Sequence, residues 1–532
     1  MQFCIALRAI SGLISANRRL TPHLSTWICQ HLQELGFAVL PAIGRNFGFV
    51  SVSNCRGCNV CCRPSYLRPK NTQVESIQLR EEETLQQIPF WKTFVRPPSS
   101  RLLEKFKPAY MHLVAEHLSP AQRTAAGLRA LPGENKPTSS TQAAWRFYND
   151  PKLTLQQVFS PLLQDVLGLI PQACSRYLLV ACDWSNLHYK GHHSKKHRVA
   201  LAHSKDLGYE MFSGLALSDR TGQPIGPLWI DLRDEVGVHS TRLHQVSPTV
   251  SVLDGIIDNM NFVTQLGIAQ RPVFIIDAEC DSIAHLRQWH AEDKTFVVRG
   301  RATHTAIHEG SRCSLQEIGD LLHQRGEFVQ TGTVRFEGEN LQQWVTETNI
   351  TITRAARPER NGEKRRSIKG APLTLRLVLS QLRNDSGKVI STWHLQTNAA
   401  SDVESTTIVQ WYGWRWKIED YHKLLKSAGQ EVESWQQESC EAIARRLAVA
   451  SMACLIVWSL QRDTSEEAGA MRALLVRLSG RQMSKNRPAT APALLAGLWI
   501  LLAYDDALRE YDLETLRSFA AKSRAIIASK FM

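Results

Sequence analysis

The sixteen residues from Trp411 to Lys426, reading WYGWRWKIEDYHKLLK, hold the densest set of reactive and binding side chains in this 532-residue chain. Read as one helix, spacings of three and four place Tyr412, Arg415, Glu419, His422 and Lys426 on a single stripe. The neighbouring stripe of Trp411, Trp414, Ile418, Tyr421 and Leu425 is apolar and is expected to pack against a sheet. A carboxylate flanked by cations and a phenol suits phosphodiester chemistry, because cations pair with phosphate oxygens and a carboxylate binds hard metal ions. In an arbitrary helix the same charges would form a solvated face of Glu–Lys pairs. Five such residues in register argue for a site.

Two further carboxylates stand at the ends of apolar runs. Asp183 follows Tyr177–Cys182, and Asp277 follows Arg271–Ile276; both runs read as strands, so each Asp is expected at a strand end. Asp after a strand is often a turn residue, and Glu279 and Asp281 compete with Asp277, Asp281 being placed to cap the next helix. Asp183, Asp277 and Glu419 brought together would repel one another, so the set calls for divalent metal. Two Mg²⁺ ions, with Mn²⁺ as a substitute, would activate a water or a 3′-hydroxyl and stabilise the leaving oxygen.

The spacing Tyr412, two residues, Arg415, three residues, Glu419, six residues, Lys426 resembles the Y-R-E-K pattern of cut-and-paste insertion-sequence transposases of the DDE group. The resemblance covers about residues 110–460. It implies a ribonuclease-H-like α/β core with a β-rich insertion, in which Asp183 and Asp277 match the first and second Asp. Ala278 stands where related proteins often carry Arg. It also implies Mg²⁺-dependent cleavage of double-stranded DNA at inverted terminal repeats, hairpin formation, insertion into target DNA, and a homodimer on DNA. Tyr412, Arg415 and Lys426 would contact phosphates, with His422 and Lys423 beside them; Arg299 and Arg301 match basic DNA contacts. Trp393 matches by position the Trp on which an extruded base stacks, with Trp344 as the competing choice. The segment Trp145–Pro151 is similar to the DNA-binding domain at the start of such proteins, yet about 105 residues precede the helical part here. Translation from Met111 is therefore expected to yield a complete enzyme.

The elements that must position these groups alternate. Strands are expected at Tyr177–Cys182, Gly208–Leu217, Ile225–Leu232, Arg271–Ile276 and Thr295–Arg301, with helices at Val250–Leu266 and Ser282–Glu292, which argues for an α/β class. The expected division is an extension over 1–105, a helical DNA-binding domain over 106–170 and a first core part over 171–302. A β-rich insertion over 303–398 follows, with strands at Gln330–Phe336, Asn349–Thr353, Pro372–Leu379 and Val389–Gln396. Residues 399–437 complete the core, and 438–532 form a helical dimerisation region.

Composition agrees with a nucleic-acid partner. Lys and Arg total 63 against 50 acidic residues, a net charge of +13 and a pI of about 9.2, which favours a polyanion. The apolar runs Leu447–Leu460 and Ala493–Tyr504 fall short of the roughly 20 residues of a membrane span, and no signal peptide is evident. A cytoplasmic, nucleoid-associated prokaryotic protein without a membrane partner is the expectation. Cys174, Cys182, Cys280, Cys313, Cys440 and Cys454 are isolated and read as reduced core residues, whereas Cys55, Cys58, Cys61 and Cys62 form a candidate zinc cluster. Two basic runs, His188–Lys205 and Arg354–Lys369, read as DNA-facing or solvated loops.

Overall fold

The computed structural model describes residues 104–118, 137–242, 252–356, 367–482 and 488–528. The chain divides into the units Met1–Thr93 and Phe94–Met532, and every described residue belongs to the second. The Cys55–Cys62 cluster and residues 119–136 of the expected helical domain lie outside the described residues.

The fold is mixed α/β around one large mixed sheet. Its centre consists of β1 (Tyr177–His188), β3 (Leu207–Ser218), β4 (Pro224–Arg233), β6 (Arg271–Ile276) and β7 (Thr295–Arg299), in the order β4-β3-β1-β6-β7. The first three form an antiparallel meander, while β1, β6 and β7 run parallel. Leu178–Ala181, Val273–Ile276 and Phe296–Val298 are almost wholly buried, as expected for central strands covered on both faces. β1 is six residues longer than its apolar run, so Asp183 lies within the strand, not at its end. It does lie one residue past the last β1–β6 pair, Cys182↔Ile276.

The β-rich segment expected over 303–398 continues this sheet. β13 (Val389–Thr397) pairs antiparallel with β7, as Leu395↔Arg299, Gln396↔Val298 and Thr397↔Val297. Beyond it come β12 (Leu373–Arg383), β11 (Glu339–Ile352) and the short β8 (Thr305–His308) and β9 (Ser311–Ser314). Among the described residues β10 (Val329–Phe336) pairs only with β11 and is mostly exposed, so the β10–β11 hairpin projects at its tip. The sequence reading missed β8, β9 and the capped helix α6 (Leu315–Gln324), whose Ser314 and Glu317 form a capping box. Also unforeseen were β2 (Val199–Ala200) and β5 (Val238–Ser240).

Helices cover the sheet. α1 (Lys107–His117), α2 (Pro137–Asn149) and α3 (Leu155–Ala173) pack on the long α9 (Cys440–Arg462), and α3 and α9 both lie on β4. Buried Arg445 of α9 ties this layer together by donating to the carbonyls of Leu153 and Tyr148. The N-terminal helices are thus part of the core layer. α4 (Ile256–Gln265) packs on β6 and α5 (Ile283–Ala291) on β7. After α9 come α10 (Glu466–Leu478), α11 (Ala491–Glu510) and α12 (Leu513–Ala528). α9 and α11 run longer than their apolar stretches implied, at 23 and 20 residues, and both are long and apolar enough to cross a membrane. α9 is buried along most of its length inside this fold. The six isolated cysteines are free, and all but Cys313 are buried.

The decisive local feature is a break in the expected single helix over Trp411–Lys426. α7 (Ser405–Trp414) and α8 (Lys417–Leu425) are separated at Arg415 and Trp416, where bonding tightens from four-residue to three-residue spacing. Arg415 N–H donates to Tyr412 O, and Ile418 N–H to Arg415 O. α7 therefore crosses the sheet from β11 and β12 until Trp411 meets Tyr177, whereas α8 lies on β1. Trp414 covers Gly222 in the β3–β4 turn, where φ of +66° and the adjacent indole both require glycine.

Gly214 of β3 sits beneath the fully buried Trp229, and a Cβ there would lie 2.0 Å from the indole. Gly214→Ala is expected to destabilise the protein by about 3 kcal/mol through overpacking. A chemical-denaturation midpoint unchanged from the parent would contradict this packing.

Candidate active site

The parallel register of β1 and β6 puts their next residues, Asp183 and Asp277, side by side. Asp277 immediately follows β6 and caps a short 3₁₀ turn, its Oδ1 accepting from Ala278 N–H at 2.6 Å. Asp183 Oδ1 accepts from Trp184 N–H at 3.0 Å, and Trp184 stacks on Phe212 with ring centroids 4.4 Å apart. The α7–α8 junction closes over this point. Arg415, 3 % exposed, reaches all three carboxylates: Nη1 lies 3.2 Å from Asp183 Oδ2, and Nη2 lies 3.2 Å from both Asp277 Oδ2 and Glu419 Oε1. Tyr412 O–H donates to Asp277 Oδ1 at 3.0 Å. Among the described residues Nε and Nη1 of Arg415 nevertheless find no well-directed hydrogen-bond acceptor, so the guanidinium keeps donor capacity.

One cation facing three carboxylates leaves an excess of two negative charges in a half-buried place. The consequence appears at Asp183. Burial raises its carboxyl to about 6, the Arg415 charge and the Trp184 N–H opposing, and the charges of Glu419 and Asp277 adding to the rise. Oxygen donors with uncompensated negative charge fit a hard divalent cation, which Asp183, Asp277 and Glu419 would hold. Glu279, Ser185, Asn186 and Glu210 line an open cavity of about 370 Å³ beside Asp183. Asp281 points elsewhere: it is taken up by His304, Arg301 N–H and Gln396, so it braces the loop after β7.

The remaining residues of the polar stripe divide. His422 is not presented to solvent as a DNA contact would be; it is buried, with Nε2 2.9 Å from Ser213 Oγ, and Ser213 is the β3 partner of Asp183. Burial holds its imidazole down at about 3, with the Lys426 and Arg415 charges adding to the effect, so it stays neutral under the cluster. Lys426 closes α8 and is engaged with Asn186 O at 2.7 Å and Glu433 at 3.2 Å, which fastens α8 to the end of β1. That helix register, set by Lys426 and His422, positions Glu419. Lys423 projects from α8 and is exposed, as is Arg301.

Trp393 of β13 packs edge-on against Tyr412, with centroids 5.1 Å apart. Together with Arg299, Arg335, Phe336, Gly413 and Trp416 it lines a cavity of about 570 Å³. Trp344 is instead covered by the Arg383 guanidinium, 4.4 Å from its ring. Trp416, half exposed, was absent from both helical stripes; the signal that would have found it is an aromatic ring off the apolar face and adjacent to Arg415. Of the basic run 188–205, Lys195 is buried, donating to Trp435 O and Gln437 O with its charge over Tyr189, and burial brings its ammonium down to about 7. Most of the second basic loop, 357–366, lies outside the described residues.

No family model matches the chain, and no curated protein matches it. Among solved structures the chain is similar to the piggyBac transposase in its synaptic complex with hairpin DNA. That similarity is 12% identity over 78% of this chain and 74% of that one, with a TM-score of 0.33. A likeness of that size assigns no activity to this chain.

Because the Asp183 carboxyl is raised, its contribution to stability is full below the ordinary aspartate range and is lost as pH rises through about 6. At pH 8 in chelator, Asp183→Asn is therefore expected to melt higher than the parent by roughly a few degrees, corresponding to at most about 3 kcal/mol. Near pH 4 the difference should shrink, and Mg²⁺ should stabilise the parent but not the variant. A lower melting temperature for Asp183→Asn in chelator at pH 8 would contradict the charge excess.

Proposed function

We propose that the chain is a DNA transposase that binds the inverted ends of its element and cuts phosphodiester bonds with Asp183, Asp277 and Glu419. The observation that carries this reading is the meeting of these three carboxylates on Arg415, from two neighbouring strands and a helix far along the chain. The strand order β4-β3-β1-β6-β7, antiparallel then parallel, is the order expected of a ribonuclease-H-like core and supports the same reading. So does the Y-R-E-K spacing.

Asp183, Asp277 and Glu419 would hold divalent metal, which would supply Lewis-acid activation of the attacking oxygen and stabilisation of the leaving 3′-oxygen. The chain's own residues do the positioning. Arg415, with unmet donors, holds the carboxylates together in the free protein and is placed to pass its charge to a non-bridging phosphate oxygen. Tyr412 orients Asp277, and His422, neutral and bonded to Ser213, fixes the helix that carries Glu419 against β3. Arg299 and the outward Lys423 and Arg301 supply cations for the DNA backbone, as the net charge of +13 favours.

The aromatic cavity is placed to take a base extruded from a DNA hairpin end, with Trp393 on one wall and Trp416 on another. Stacking on such rings contributes about 1–3 kcal/mol per base and needs no particular sequence. Exposed Tyr511, just before α12, and Leu513, Phe519 and Ile526 along it offer apolar surface for the homodimer that synapsis of two ends requires.

Glu419→Ala is expected to retain binding to element ends while losing Mg²⁺-dependent nicking by about a thousandfold or more; unchanged nicking would remove the assignment. Trp393→Ala should impair hairpin formation more than first-strand nicking in gel assays on labelled ends. Equal loss of both would remove the stacking role. With end and target DNA supplied together, cleavage without joined product would identify a nuclease that performs no strand transfer.

A further inference from the structure

Away from the carboxylate cluster, three side chains of different metal-binding type meet beside the β4–β5 hairpin. Asp234 directly follows β4, His239 lies in β5, and Cys440 is the first residue of α9. A carboxylate oxygen, an imidazole nitrogen and the thiol sulfur lie within 4.8 Å of one another. Asp234 and Cys440 are buried, and His239 is partly open to solvent. Each is held by fixed backbone. Asp234 Oδ1 accepts from the N–H groups of Val236 and Gly237, which turns Oδ2 toward His239 Nε2 at 2.9 Å. Cys440 is fixed by the capped start of α9, where Ser439 Oγ accepts from Ala442 N–H, and its Sγ makes a long contact, 3.8 Å, to Leu232 O.

We propose that Asp234, His239 and Cys440 form a second metal centre, for zinc or a similar borderline divalent ion, with solvent at the remaining coordination position. The donor set decides the class of ion. Thiolate and imidazole favour zinc or cobalt over magnesium, while the all-oxygen set at Asp183, Asp277 and Glu419 favours the hard ions. Charge decides in the same direction: one carboxylate, one thiolate and a neutral imidazole sum to two negative charges, so a divalent ion makes the buried group neutral. The two backbone N–H groups on Oδ1 supply the outer bonding that orients a carboxylate ligand.

The centre would pin the β4–β5 hairpin to the start of α9. It is distinct from the catalytic cluster: Ser213 of β3 faces Asp183 on one side and Ile230 of β4 on the other, and Asp234 lies four residues beyond Ile230. An Asp234–His239 ion pair would by itself explain two of the three residues and leaves the sulfur at the same point without a role.

The test uses the full chain with Cys55, Cys58, Cys61 and Cys62 replaced by Ser, so that no other thiol cluster competes. Titration with Co²⁺ under reducing conditions should give a thiolate-to-metal absorption band that saturates at one equivalent, is abolished by Zn²⁺ and is unaffected by Mg²⁺. Cys440→Ser should lose the band, and His239→Asn, at a partly exposed position, should bind Co²⁺ at least about tenfold more weakly with an unchanged circular dichroism spectrum. Zinc should raise the melting temperature of the parent but not of Cys440→Ser. Absence of the band in the parent, or its persistence in Cys440→Ser, would overturn the proposal.

Discussion

The structure turns on the pairing of one buried guanidinium with three carboxylates. Arg415 is the only cation in contact with Asp183, Asp277 and Glu419 among the described residues, and it reaches them because the helix that carries it is interrupted at that residue. Like charges gathered in a half-buried place tolerate one another only while a cation stands between them. The residual negative charge leaves carboxylate oxygens uncompensated at this point and costs the free protein stability at neutral pH.

The break at Arg415 and Trp416 also solves a geometrical conflict. A straight helix through Trp411–Lys426 would carry two buried stripes along one axis, yet the polar stripe must meet β1 and β3 while the apolar stripe packs on the wider sheet. Splitting the segment lets α7 cross from β11 and β12 toward Tyr177, and lets α8 settle on β1 with Lys426 anchored to Asn186 and Glu433. The turn between them brings Arg415 inward and leaves Trp416 facing the cavity shared with Trp393. The cavity wall is supplied by β13, which is part of the same sheet as the Asp strands through its pairing with β7. The hairpin of β10 and β11 adds Phe336 and Arg335, so the β-rich segment and the carboxylate cluster share one rigid frame.

Much was legible from the residues alone. The apolar runs of β6 and β7 and the helix after Ser282 appear close to where they were expected, because apolar strand runs and helical periodicity are local in their cause. The two Asp positions were visible as acidic ends of apolar runs. Less legible were features whose cause is remote in sequence. Asp183 lies inside a longer strand because β3 continues to pair with β1 after β6 has ended. Lys426 and His422 looked like a DNA-facing pair, since helical spacing reports which residues share a face but not what that face meets. Asn186, Glu433 and Ser213, their partners, stand in other elements.

By itself the amino-acid order determined which residue types share a helical face, where the apolar strands run and that the chain carries excess positive charge, since these follow from periodicity and composition. Only the tertiary structure decided that the polar face turns inward, that Arg415 bridges all three carboxylates, and that Cys440 of a core helix meets Asp234 and His239. Such meetings depend on strand register and helix crossing, which are set by packing among segments hundreds of residues apart and leave no trace in local spacing.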